Sequence, residues 1–206
     1  MSEKEYLPLV AILRGITPEE VIAVADAIYQ AGFRYIEVPL NSPRALESIA
    51  RLVDHFEDRA CCGAGTVITV EQVEAVAATG AKLIVSPNCD PQVIRRSIAL
   101  GLVSMPGIQT PTEAFSAIAA GATYLKLFPA ISLGPGYVKN LKAVLPADIR
   151  VLAVGGVNLE NMQEFYRAGT YGFGIGSDLY KPGRTAEQAA RLAGEYIEQY
   201  QSISQR

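Results

Sequence analysis

The sequence predicts an α/β protein of one domain, a (β/α)8 TIM barrel spanning residues 1–206. Three observations carry that expectation. Short apolar runs alternate along the whole chain with longer stretches of helical period, giving about eight strand–helix units. The runs are nearly continuous in apolar residues, as suits parallel strands covered on both faces. The units recur at a nearly even interval of a little over twenty residues, which favours closure into a ring over an open doubly wound sheet.

Taken in order, the first run is LVAILR at 9–14. Thr17 follows it, ahead of Pro18-Glu19-Glu20, the composition of a helix cap and first turn. The second run, YIEVPL at 35–40, precedes Ser42 and Pro43, another candidate cap. The third to sixth are ACCGAGT at 60–66, LIVSP at 83–87, LVSMPG at 102–107 and YLKLFP at 124–129. The seventh is VLAVGG at 151–156, with Asn158 ahead of Glu160 to open its helix, and the eighth is YGFGIGS at 171–177. Helices are expected to end at Gly32, Gly80, Gly121 and Gly169, where glycine takes the left-handed cap conformation.

Composition narrows the function. Half of the 206 residues are hydrophobic and 19% are charged, which excludes a disordered chain. A net charge of −3 argues against a nucleic-acid partner, which calls for a basic patch. No apolar run is long enough to span a bilayer, so no membrane partner is expected. The N-terminal MSEKEYLPLV is too acidic and too poor in apolar residues for a secretory signal, and a cytoplasmic protein is expected. Cys61, Cys62 and Cys89 form neither a disulfide framework nor a zinc spacing and read as packed thiols. The single histidine, His55, reads as a partly exposed residue on an amphipathic helix. Neither a histidine-based triad nor a histidine metal site is therefore expected, and chemistry falls to Lys, Glu, Asp, Arg, Ser, Thr or Tyr.

A buried strand is an expensive place for an ionised side chain. Three runs nonetheless carry one near the carboxyl end: Arg14 in LVAILR, Glu37 in YIEVPL and Lys126 in YLKLFP. Strand alternation groups Tyr124, Lys126 and Phe128 on one face and Leu125 and Leu127 on the other. It likewise groups Tyr35, Glu37 and Pro39. With Ile36, Val38, Leu125 and Leu127 packed outward against helices, Glu37 and Lys126 point into the barrel. The second and sixth strands of an eight-membered ring are opposite each other, so the two groups converge across its mouth. One reading is a structural ion pair. The other is an active site, since barrels build theirs at this strand end. Burial favours the uncharged amine, the nucleophile that forms a Schiff base with a ketone. Lys82, Lys139 and Lys142 read as solvated and do not compete.

The last two loops suit a phosphate. The seventh run ends at Gly155 and Gly156, and the eighth carries Gly174 and Gly176 before Ser177. Barrels often bind phosphate with these loops and the amino end of a short extra helix, which Ser177 is expected to cap. Thr66, just after the third strand, either closes that strand or donates to a substrate carboxylate.

Together ILRG, EVPLNSP, GAGTV, LIVSPN, YLKLFPA with LGP, VGGV and GIGSDLY resemble the 2-keto-3-deoxy-6-phosphogluconate and -galactonate aldolases, over nearly the whole chain. These are class I enzymes on a (β/α)8 barrel. The resemblance implies that Lys126 carries the imine with no other cofactor, and that Glu37 moves protons. It implies that Arg14 and Thr66 hold the pyruvoyl end, and that Gly155, Gly156, Gly176 and Ser177 hold the phosphate. It implies a homotrimer whose partners are a phosphorylated 2-keto-3-deoxy sugar acid, pyruvate and glyceraldehyde 3-phosphate, with no metal. The gluconate branch usually has threonine where this chain has Val154, and valine is similar to the galactonate branch. The expected reaction is cleavage of 2-dehydro-3-deoxy-6-phosphogalactonate, with the gluconate epimer or 4-hydroxy-2-oxoglutarate as the alternative substrate. An isomerase or synthase without an imine, or a non-catalytic phosphosugar-binding barrel, is the remaining alternative.

Overall fold

A computed structural model describes residues 6–205. The first five residues of the segment read above as unlike a secretory signal lie outside them. The elements run in the order β1 (Leu9–Ile12), α1 (Val21–Ala31), β2 (Tyr35–Pro39), α2 (Ala45–Phe56), β3 (Cys61–Gly65), α3 (Val70–Ala77), β4 (Leu83–Val85) and α4 (Pro91–Ala99). They continue with β5 (Val103–Met105), β6 (Gly107–Ile108), α5 (Pro111–Ala119), β7 (Tyr124–Leu127), α6 (Ala130–Lys142), β8 (Arg150–Val154), α7 (Met162–Arg167), β9 (Gly172–Ile175) and α8 (Ala186–Ser204).

All pairings are parallel, and the sheet order is β5-β4-β3-β2-β1-β9-β8-β7-β6. The two ends of that order, β5 and β6, are one predicted strand interrupted at Pro106. Proline has no N–H to give a ladder, so the strand breaks there. Its carbonyl still accepts from the Lys126 N–H at 2.8 Å, while the Ser86 N–H donates to the Met105 carbonyl at 3.1 Å. The ring is therefore closed through the chain itself, and eight staves become nine segments.

Alternation sorts the apolar side chains into two cores, as a pleat of period two requires. Ile36, Val38, Leu125, Leu127, Ala153 and Ile175 belong to the large core between sheet and helices. Val10, Ile12, Leu83, Val85, Met105, Tyr124, Leu152 and Val154 fill the barrel interior. Each fully buried Leu, Ile or Val contributes ~1.5–3 kcal/mol relative to exposure. The long α8 packs along α1, joining the last helix to the first.

Most predicted helix ends are present: Gly32, Gly80, Gly121 and Gly169 all have positive φ. Asn158 accepts from the N–H groups of Glu160 and Asn161. Ser42 is a correction, because its Oγ accepts from the Gly15 N–H at 2.9 Å and caps no helix. Thr17 fastens a turn to the Glu20 carboxylate, and regular helix starts only at Val21. Lys142 is a second correction, since it is half-buried and donates to the Ile149 carbonyl. His55 lies on α2, partly exposed, with Nε2 2.8 Å from Asp26 Oδ1. Cys61, Cys62 and Cys89 are free thiols. Among the described residues no helix is long and apolar enough to cross a membrane, and no cluster of three or more His, Cys, Asp or Glu residues could hold a metal.

Candidate active site

Glu37 sits in β2 and Lys126 in β7, four staves apart in either direction around the ring. Their exposures are 1% and 6%. Both side chains line one cavity with Ile12, Met105, Leu152, Val154 and Gly174. Their backbones are fixed by parallel register, Glu37 beside Ile12 and Gly63, Lys126 beside Gly107 and Leu152. Apolar Ile12 and Leu152 are thus their register neighbours on adjacent staves.

The electrostatics follow from that burial. Desolvation raises the Glu37 carboxyl to about 7, against the opposing pull of Lys126 and Arg14. Desolvation also lowers the Lys126 amine; Glu37 opposes this and the Arg14 charge adds to it. Both shifts favour the uncharged forms. Glu37 Oε2 is buried without a hydrogen-bond partner. A purely structural buried pair depends on saturated hydrogen bonds, and this one leaves Glu37 Oε2 unbonded. Lys126 Nζ instead lies over the Phe128 ring, 4.8 Å from its centroid.

Gly65 explains how the carboxyl fits. A Cβ at that position would lie 1.6 Å from Glu37 Oε2. The residue after it, Thr66, is half-buried and has φ 59°, a rare and strained conformation for a β-branched side chain. Such strain is held where surrounding structure fixes it, and it concentrates at functional sites.

Arg14 differs from its predicted setting. It lies two residues beyond β1, exposed in the following loop, because a guanidinium is cheaper to leave in water than to bury in a strand. Its Nη1 donates to Asn41 Oδ1 at 2.6 Å, tying the β1 and β2 loops together, and its charge acts on both Glu37 and Lys126.

The glycine loops meet on neighbouring staves, since Val154 of β8 is in register with Gly174 of β9. Val154 is buried, and a Cβ on Gly174 would lie 2.8 Å from its Cγ2. Gly156 has φ 78°, and a Cβ there would lie 2.5 Å from Ile131. Gly155 also has positive φ, whereas Gly176 does not. Ser177 is exposed and starts no helix, a correction to its expected capping role. The chain makes a single turn there, with the N–H groups of Leu179 and Tyr180 both donating to the Gly176 carbonyl at 2.9 Å. Three contributors escaped the sequence reading: Gly65, Asn41 and the backbone of Thr66. Only Gly65 left a local signal, being the second glycine in GAGT where a strand would favour larger residues.

A closed ring with an unpaired carboxyl and a desolvated amine at opposed strand ends defines a lysine-bearing barrel enzyme, and its relatives make it a carbon–carbon lyase. The chain belongs to the KDPG and KHG aldolase family, whose model matches residues 2–192. It is 50% identical to the 2-dehydro-3-deoxy-6-phosphogalactonate aldolase of Escherichia coli (strain K12), over 100% of both chains. The solved structure named native KDPGal matches with a TM-score of 0.97 at 49% identity, again over 100% of both chains. The KDPG aldolase from Legionella pneumophila, with pyruvate captured at low pH as a covalent carbinolamine intermediate, matches at TM-score 0.81 and 25% identity, covering 95% of this chain and 93% of that one.

Proposed function

We propose that this protein is a class I aldolase that cleaves 2-dehydro-3-deoxy-6-phosphogalactonate to pyruvate and D-glyceraldehyde 3-phosphate. The carrying observation is the desolvated amine of Lys126 facing an unpaired Glu37 carboxyl inside the ring. The uncharged Lys126 amine adds to the C2 ketone, giving a carbinolamine. Glu37, as the acid, protonates the C2 hydroxyl, which leaves as water and yields an iminium. The resulting carboxylate takes the C4 hydroxyl proton, the C3–C4 bond breaks, and its electron pair flows into the iminium to give an enamine. Glyceraldehyde 3-phosphate departs, C3 takes up a proton, and hydrolysis returns pyruvate and the free lysine. The covalent pyruvate carbinolamine captured in the Legionella relative supports the first step of this reading.

Arg14 and Thr66 face the substrate carboxylate in this reading, and Gly155, Gly156, Gly176 and Ser177 hold the phosphate. The phosphate supplies binding energy remote from the reacting bond. Val154 presents methyl groups where a hydroxyl would bond a sugar oxygen, which supports the galactonate over the gluconate epimer. The whole chain acts as one domain. We assign it to the cytoplasm, since a multiply charged sugar acid does not cross a bilayer. We also propose a homotrimer, with exposed Leu46, Ile68, Phe115 and Ile131 as candidate contacts.

Borohydride trapping with pyruvate, followed by peptide mass analysis, tests the assignment. A pyruvyl label on Lys126 is expected. Lys126→Arg abolishes both label and turnover without unfolding the barrel, because arginine forms no such imine. A label on another lysine, or none, overturns the reading.

A further inference from the structure

The segment after β9 carries a device that the proposed phosphate site does not itself require. Arg184 Nη1 donates to the carbonyl of Ser177 at 3.3 Å and to that of Asp178 at 2.5 Å. The Gly176 carbonyl is already taken by the N–H groups of Leu179 and Tyr180. Three consecutive carbonyls of residues 176–178 are thus occupied from the protein side. The Asp178 carboxylate in turn accepts from the Tyr196 hydroxyl, and the Tyr196 ring is fully buried in α8. The loop is pinned to the last helix through a backbone clamp and a side-chain tether.

The consequence is electrostatic. In a trans peptide the C=O and N–H point in opposite directions. Holding the Ser177 carbonyl toward Arg184 therefore aims the Asp178 N–H the other way. An anion approaching from that side meets the Asp178 N–H and not the Ser177 carbonyl, which is the condition for backbone anion binding. Released from Arg184, either peptide could turn its carbonyl toward the anion and repel it.

We infer that Arg184 is a positioning residue for the phosphate end of the substrate, acting through the Ser177 and Asp178 carbonyls. This rests on the phosphate reading given above.

Arg184→Ala is compared with wild type on the phosphorylated substrate and on phosphate-free 4-hydroxy-2-oxoglutarate, alongside borohydride trapping with pyruvate. The expected result is a rise of about tenfold in KM for the phosphorylated substrate, the scale of one charge-assisted hydrogen bond, with kcat within about twofold. The phosphate-free substrate and the pyruvate label do not change, and Arg184→Lys recovers most of the loss. Where Arg184→Ala fails to fold, Tyr196→Phe carries the same test, with a KM rise of about threefold. An unchanged KM, or an equal loss on both substrates, overturns the positioning role. A wild-type protein that shows no preference for the phosphorylated substrate overturns the phosphate reading beneath it. A wild-type protein that traps no pyruvate overturns the aldolase reading instead.

Discussion

Gly65→Ala puts one methyl group where the proton-moving carboxyl of Glu37 now stands. The new Cβ would lie 1.6 Å from Oε2, 2.4 Å from Cδ and 2.6 Å from Oε1. Carbon atoms normally approach to about 3.5 Å, so the carboxyl must retreat by about 2 Å. The backbone is no obstacle, because Gly65 does not have a positive φ. A misplacement of about 1 Å costs on the order of 10²-fold, and a positioned acid–base group contributes about 10²–10⁴-fold. We therefore expect kcat for pyruvate release to fall about 10²- to 10³-fold, with slower trapping of pyruvate by borohydride. Overpacking costs ~1–3 kcal/mol of stability, a drop of several degrees in Tm that leaves a folded protein. Gly136→Ala is the control: nothing lies within 4 Å of its Cβ, so kcat should not move. A Gly65→Ala enzyme that folds and turns over within threefold of wild type would refute the claim that Glu37 must stand where it does.

Two further outcomes follow from the same geometry. Thr66→Gly relieves a left-handed backbone that costs a β-branched residue about 1–3 kcal/mol. After the entropic cost of glycine, the urea midpoint should rise by the equivalent of ~1 kcal/mol while pyruvate affinity falls; a lower midpoint contradicts the strain. Glu37 is raised from 4.5 to about 7, so between those values the native state holds a proton that the unfolded chain has released. Its contribution is fully present below pH 4.5 and is lost as pH rises through 7. Glu37→Gln should flatten that decline in urea unfolding across pH 5–7.5, and a decline of the same slope in the variant refutes the burial account.

Much of the fold was legible because period-two alternation is a property of the strand itself. Ile36 and Val38 against Glu37, and Leu125 and Leu127 against Lys126, sort to opposite faces in the two cores as counting predicts. Arg14 lies outside its expected strand because apolar continuity runs through Leu13, whereas the strand ends at Ile12. Ser42 and Ser177 have the composition of caps, yet one accepts from the distant Gly15 N–H and the other begins a single turn. A hydroxyl takes whichever donor the fold delivers, and that donor is 27 residues away in the case of Ser42.

By itself the sequence determined the number of staves, the inward faces, and the presence of one amine and one carboxylate at positions where burial would perturb both. These follow from local periodicity and from the cost of desolvating charge. Tertiary structure alone decided that Pro106 splits a stave yet leaves the ring closed, that Gly65 makes room for a carboxyl, and that Asn41 accepts from Arg14. It also decided that Arg184 holds the carbonyls of the β9 loop. Each of these joins residues from different elements, and such through-space distances are fixed only once the ring has closed.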